Sequence, residues 1–232
     1  MRTRRATPAD LKQVMALLTL YYNEWHIQQR DDEPTVASKL QHPLGYFLAF
    51  IDDDCEPASD WLKTAGAVFA DRKVVGVEGR VVSSRYDDPA WRAVSNDGIV
   101  GIAFMTANLL VRSAAFNRLN GFDIAFEEPH FREDTDFGWR LQTLGKVPYE
   151  DDVCVYHPPH RRNVARESQA TRDSFFEKDA LLLKKHPERY AELLKVEHHW
   201  TENRGYWPHM ARGAVKYNVA LPRTMVEMLL RI

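Results

Sequence analysis

Six consecutive apolar or aromatic residues, Tyr46 to Ile51, run directly into three aspartates, Asp52-Asp53-Asp54. An unbroken apolar run of that length, closed by acids, is the pattern of a strand buried on both faces of a parallel sheet, met at its carboxyl end. Open α/β sheets place their ligands at that end. Pro57-Ala58-Ser59-Asp60 then opens a predicted helix through Trp61, Leu62, Ala65 and Phe69, and VVGVEGRVV, Val74 to Val82, reads as a second strand. Strand, helix and strand make a βαβ unit, so the expected class is α/β.

On either side the pattern changes. Before Pro43 the chain offers a helix from Thr7-Pro8 to about Trp25, with Leu11, Val14, Leu17, Leu18 and Tyr21 at helical spacing, and then an irregular polar stretch. Its first twenty or so residues resemble the opening of GNAT-type acetyltransferases, without the glycine-rich loop that would follow. After the second strand come a polar loop, Ser84 to Gly98, and an apolar segment, Ile99 to Val111. A helix stopping at Gly145 and a last strand, Val147 to Tyr156, follow. Polar helices, Glu167 to Lys185 and Glu188 to His198, lead into a basic tail. The expected division is an N-terminal helical segment, 1–43, an α/β core, 44–160, and a helical C-terminal extension, 161–232.

Charge and composition exclude several classes. Lysine and arginine number 31 against 33 acids, so no global positive field exists to hold nucleic acid, and no nucleic-acid partner is expected. The longest apolar run, Gly98 to Val111, has 14 residues, short of the roughly 20 that a spanning helix needs. Cys55 and Cys154 form neither a metal-ligand spacing nor a disulfide framework, and the basic N-terminus lacks the apolar core of a secretory signal. A cytoplasmic location is the expectation.

The chemistry concentrates in a few places. Three adjacent carboxylates repel one another unless a cation sits among them, so Asp52 and Asp54 are candidate metal ligands and Asp53 a candidate contact to a sugar hydroxyl. A solvated acidic turn with Asp54 capping the next helix fits the same spacing. An EF-hand does not, because Pro57 and Lys63 stand where its glycine and bidentate glutamate belong. Arg132-Glu133-Asp134-Thr135-Asp136 opens a helix, where capping explains one or two acids and a general base near a metal-bound phosphate would explain more. His157, at a strand end, reads first as a backbone-bonded structural histidine.

In order along the chain, YFLAFIDDDCEPASDWL, VGVEGRVV, TANLLVRSAAFNRLNGFDIAF and REDTDFGWRLQTLGKVPYEDDVCVYHP resemble the family 2 glycosyltransferases of the GT-A fold, from about Gly45 to Pro158. The resemblance implies a GT-A-like (Rossmann-like) mixed sheet flanked by helices. It implies metal-assisted, inverting transfer of a sugar from a nucleotide-diphosphate donor to an acceptor hydroxyl on a glycan or lipid-linked molecule, as in polysaccharide biosynthesis. Asp52-Asp53-Asp54 would be the DxD element, with Asp52 and Asp54 holding Mn²⁺ or Mg²⁺ and the donor. His157 would complete the metal site, and Asp134, beside Glu133, would be the base. Thr106 and Asn108 would line the donor and acceptor cleft, with Gly79 a close-approach position next to it.

Such enzymes open with a strand, a loop of the I-P-T-Y-N type and a second strand ending in aspartate, which grip the nucleobase. The residues before Pro43 do not match that half. The expectation is therefore a fragment, a chain that has lost the grip, or one supplied with it by another segment. A non-catalytic nucleotide-sugar-binding module is the alternative function, and an aspartate-nucleophile phosphohydrolase is a further rival that Glu56 opposes. The tail, Asn203 to Ile232, carries five basic residues against Glu227 alone, with apolar and aromatic residues between them, and is a candidate contact to the inner face of a membrane.

Overall fold

The computed structural model describes residues 9, 11–13, 15–16, 33–34, 47–84, 88, 90–127, 130–162, 173–194 and 205–230. The chain divides into two units, Met1–Phe47 and Leu48–Ile232. In the first, Leu11–Gln13 and Met15–Ala16 are helical. Apart from Ala9, which is in a 3-10 turn, the rest of the helix expected from Thr7 to Trp25 lies outside the described residues, as do Tyr46 and residues 167–172 and 195–198 of the expected C-terminal helices.

The larger unit is a mixed α/β fold. A five-stranded sheet has the order β1-β5-β3-β6-β2, where β1 is Phe47–Phe50, β2 Glu56–Pro57, β3 Gly76–Val82, β5 Leu109–Arg112 and β6 Tyr149–Tyr156. β3 runs parallel to β6 and antiparallel to β5, and β2 is antiparallel to β6. A separate two-stranded ribbon pairs β4, Trp91–Arg92, with β7, His160–Arg161. Helices α1, Trp61–Val68, and α2, Ser113–Arg118, pack against β6 and β5. α3 is Glu133–Gln142, and α4 to α7 follow β6 as Glu177–Lys185, Pro187–Leu193, Tyr206–Lys216 and Arg223–Leu229.

Two strand assignments need correcting. β1 is an edge strand rather than one covered on both faces, with Leu48 and Ala49 exposed. Phe50 helps to anchor it, its ring packing 5.3 Å from that of Phe122 and 5.7 Å from that of Phe116. β1 and β3 are also not neighbours, since β5 lies between them. The loop expected from Ser84 to Gly98 contains β4, whose partner comes almost 70 residues later in the chain and is invisible to local pattern.

The core explains the C-terminal helices. Leu109, Val111, Phe126, Phe137 and Leu141 share one buried cluster with Leu182, Tyr190, Tyr206, Met210 and Met225. Sheet, α3 and α4 to α7 thus bury apolar area against each other, at about 25 cal/mol per Å². α6 packs on α4 at backbone distance, because a Cβ on Gly213 would collide with the Glu177 carbonyl.

Candidate active site

β1 ends and β2 begins around a tight turn in which the Cys55 amide donates to the Asp52 carbonyl at 3.1 Å. β2 then pairs with the end of β6, Glu56 opposite Tyr156, and the next residue after Tyr156 is His157. That single pairing brings the acidic turn and the histidine together across more than 100 residues. Nε2 of His157 lies 3.6 Å from Asp52 Oδ2 and 3.7 Å from Asp54 Oδ1. Its backbone is locked on both sides: the His157 amide donates to the Val82 carbonyl at 2.8 Å, and Ser83 Oγ donates to the His157 carbonyl at 2.7 Å. Nδ1 lies 3.1 Å from the Pro158 carbonyl. A carbonyl only accepts, so a hydrogen bond there places a proton on Nδ1, and Nε2 is the ring nitrogen that faces the two aspartates.

Ligand atoms of Asp52, Asp54, Cys55 and His157 all lie within 4.8 Å of one another. Two carboxylates and an imidazole make a donor set that could hold a divalent cation. Burial, reinforced by Asp52 and Asp54, pushes the Cys55 thiol up to about 11, so it stays protonated at neutral pH and is the poorest donor of the set. Asp52 is also raised, first by burial, while His157 opposes and Asp54 adds to the effect. A group of acids of this kind has the right charge and spacing for a divalent cation.

The cluster opens onto a cavity of about 650 Å³ lined also by Asp53, Arg92, Val94, Met105, Thr106, Glu133, Asp134 and His160. Glu133 and Asp134 reach it because Arg132 adopts a left-handed conformation, φ 74°, and turns the chain sharply into α3. Asp134 Oδ1 accepts from the Thr135 amide at 2.7 Å. Burial, with the Glu133 charge second, raises Asp134 to about 7, against the hydrogen bonds from Thr135 and the charge of Arg132. A carboxyl poised there exchanges protons at neutral pH. Asp136, the third acid of this helix start, points elsewhere: it binds Arg140, Lys185 and His186 inside the core.

Seven of the residues singled out in the sequence, Asp52, Asp53, Asp54, Thr106, Glu133, Asp134 and His157, line this one cavity. Asn108 and Gly79 do not. Asn108 is fully buried, accepts from Trp61 Nε1 at 2.8 Å and donates to the Arg80 and Val153 carbonyls at 2.9 and 2.8 Å. It fills a break in the sheet, since the β3–β6 register jumps from Gly79↔Glu150 to Arg80↔Cys154. A Cβ on Gly79 would strike that Asn108 amide, which is why glycine stands there. Both are structural. Arg92, His160 and Cys55 escaped the sequence reading, because only the ribbon and the turn bring them to the site.

No family model matches the chain. It is 30% identical over 164 residues to the pre-mycofactocin glycosyltransferase of Mycobacterium tuberculosis, in strains CDC 1551 / Oshkosh and ATCC 25618 / H37Rv, an alignment covering 64% of this chain and 34% of each relative. The sequence likeness is to a glycosyltransferase. The chain spans about a third of the length of the curated relatives it matches. Among solved structures, the mannosyltransferase PcManGT from Pyrobaculum calidifontis in complex with GDP-Man and Mn²⁺ aligns with a TM-score of 0.40 at 16% identity, over 88% of this chain and 59% of that one.

Proposed function

We propose that this chain is the donor- and metal-binding part of a family 2 glycosyltransferase of GT-A architecture. In this reading it transfers a sugar from a nucleotide-diphosphate donor to an acceptor hydroxyl with inversion. The observation that carries the proposal is the meeting of Asp52, Asp54 and His157 on the same cavity as Glu133 and Asp134. The sequence likeness to a glycosyltransferase supports it.

Asp52 and Asp54, as the DxD element, and His157 would hold Mn²⁺ or Mg²⁺, whose charge would stabilise the leaving diphosphate. Asp134 takes the acceptor hydroxyl proton onto its carboxylate as the new glycosidic bond forms and the bond to the diphosphate breaks. Glu133 keeps Asp134 basic by adding a neighbouring negative charge. Asp53 and Thr106 line the cavity wall and in this reading would face the sugar and acceptor. A glycan or lipid-linked acceptor, as in polysaccharide assembly, suits a cavity this open. A cytoplasmic site of action with reversible contact to a membrane is part of the proposal. α6 and α7 expose Val215, Met228 and Leu230 beside Arg212, Lys216 and Arg223, and among the described residues no helix is long and apolar enough to cross a membrane.

The test is calorimetric titration of the full chain with UDP and GDP, with and without Mn²⁺. Metal-strengthened binding of one nucleotide is expected. Equal affinity with and without metal would overturn the assignment. Metal-coupled binding without transfer to any acceptor would place the chain among binding modules.

A further inference from the structure

The ribbon β4–β7 sets Arg92 directly opposite His160, and both side chains line the main cavity. A guanidinium and an imidazole set side by side on one ribbon present a converging pair of N–H donors to that cavity. Neither has an acidic partner within ion-pair distance among the described residues. Nδ1 of His160 is moreover buried without a hydrogen-bond partner among those residues, which is costly for a ring nitrogen shielded from water. The ring of His160 lies 6.0 Å from that of His157, so the pair sits beside the acidic cluster and its candidate metal. Arg92 also lines an adjoining cavity of about 350 Å³, walled by Ile99, Phe131, Glu133 and Asp134.

We propose that Arg92 and His160 form a clasp for a phosphate-type oxyanion, beside the acidic cluster in the same cavity. An arginine fork and an imidazole N–H are well matched to such oxygens. The ligand is recognised from two sides, by the clasp directly and by carboxylates through a cation. The anion has two chemical sources, the diphosphate of the donor or an ionised group on the acceptor. Naming them donor and acceptor rests on the function proposed above; the clasp itself does not.

The experiment separates the two ideas by leaving out the metal. Calorimetric titration of the full chain with inorganic pyrophosphate in EDTA reads the clasp alone. Binding is expected to weaken about tenfold in Arg92→Gln and again in the Arg92→Gln, His160→Gln pair, as for a lost charge-assisted hydrogen bond. Arg161→Gln, on the same ribbon but not lining the cavity, is the control and should bind as the parent does. Absence of metal-free pyrophosphate binding, or equal binding by parent and double variant, overturns the clasp. Loss of Mn²⁺ coupling with the clasp intact overturns only the metal reading. Competition between pyrophosphate and UDP or GDP assigns the clasp to the donor diphosphate, and simultaneous binding assigns it to the acceptor.

Discussion

Arg132 and Asp179, 47 residues apart, form a buried ion pair, with Nε and Nη2 of the arginine each 3.0 Å from Asp179 Oδ1. Tyr190 donates to the same oxygen at 2.9 Å and meets Tyr206 at 2.6 Å. Arg132 is the left-handed residue that launches Glu133 and Asp134 into the cavity. Such a backbone costs about 1–3 kcal/mol and persists only where the surroundings enforce it. α4, α5 and α6 supply that enforcement, so the C-terminal helices shape the site from behind.

Removing Asp179 should therefore be severe. Asp179→Ala leaves a buried guanidinium without its counter-charge and is expected to cost about 3–5 kcal/mol. Urea unfolding followed by circular dichroism measures it, and a loss below about 1 kcal/mol, the worth of a surface pair, would refute a buried, structure-enforcing role.

Asp54→Ala is expected to abolish the strengthening of nucleoside diphosphate binding by Mn²⁺ while the fold persists, since Asp54 is half exposed and its carboxylate serves no core contact. Calorimetry with and without metal checks this. Retained coupling in the variant would shift the ligand role to other members of the cluster.

Asp134→Asn should keep donor binding and lose transfer, because the amide preserves the shape but accepts no proton. The measurement is product formation against donor affinity in the same preparation. Full transfer by this variant would move the base to Glu133.

Stability against pH provides a further test through Glu78. Burial raises this carboxyl to about 7 from 4.5, although Gly101 donates to Oε2 at 2.7 Å. A raised acid means that the folded state holds a proton the unfolded chain has released. Its contribution is present in full below the unfolded value and is lost as pH rises through about 7. Glu78→Gln keeps the acceptor and removes the charge, so it should stabilise the protein at pH ~8 by about 3 kcal/mol and far less at pH ~5. Asp136 has the opposite sign. Burial would raise it, but hydrogen bonds from His186, Lys185 and Arg140 outweigh that and hold it at about 2, so its contribution fades only as pH falls through that value. Urea midpoints across pH decide, and an equal effect of Glu78→Gln at both pH values would refute the buried charge.

Gly79→Ala tests the sheet break. The added methyl meets the Asn108 amide and the Val153 carbonyl, neither of which can yield without losing a buried hydrogen bond. A loss of about 2–4 kcal/mol is expected by thermal or urea unfolding. Near-neutral stability would show that Asn108 can leave its place.

The sequence by itself determined what local pattern encodes: the α/β class, the helices at Trp61–Val68 and Glu133–Gln142, the last strand, and seven of the residues that line the cavity. Those features depend on the spacing of apolar residues and on polar residues placed where a strand ends or a helix starts, except Thr106, which only the family resemblance singled out. It misread β1 as doubly covered, because an apolar run says nothing about how many neighbours a strand will find. It set Asn108 and Gly79 in the cleft, because hydrogen bonds to β3 and β6 carbonyls leave no trace in one-dimensional spacing. Arg92, His160 and the Arg132–Asp179 pair belong wholly to the tertiary structure. Each owes its place to partners far away in sequence, and only the packed sheet, ribbon and C-terminal helices bring those partners within hydrogen-bonding or cavity reach.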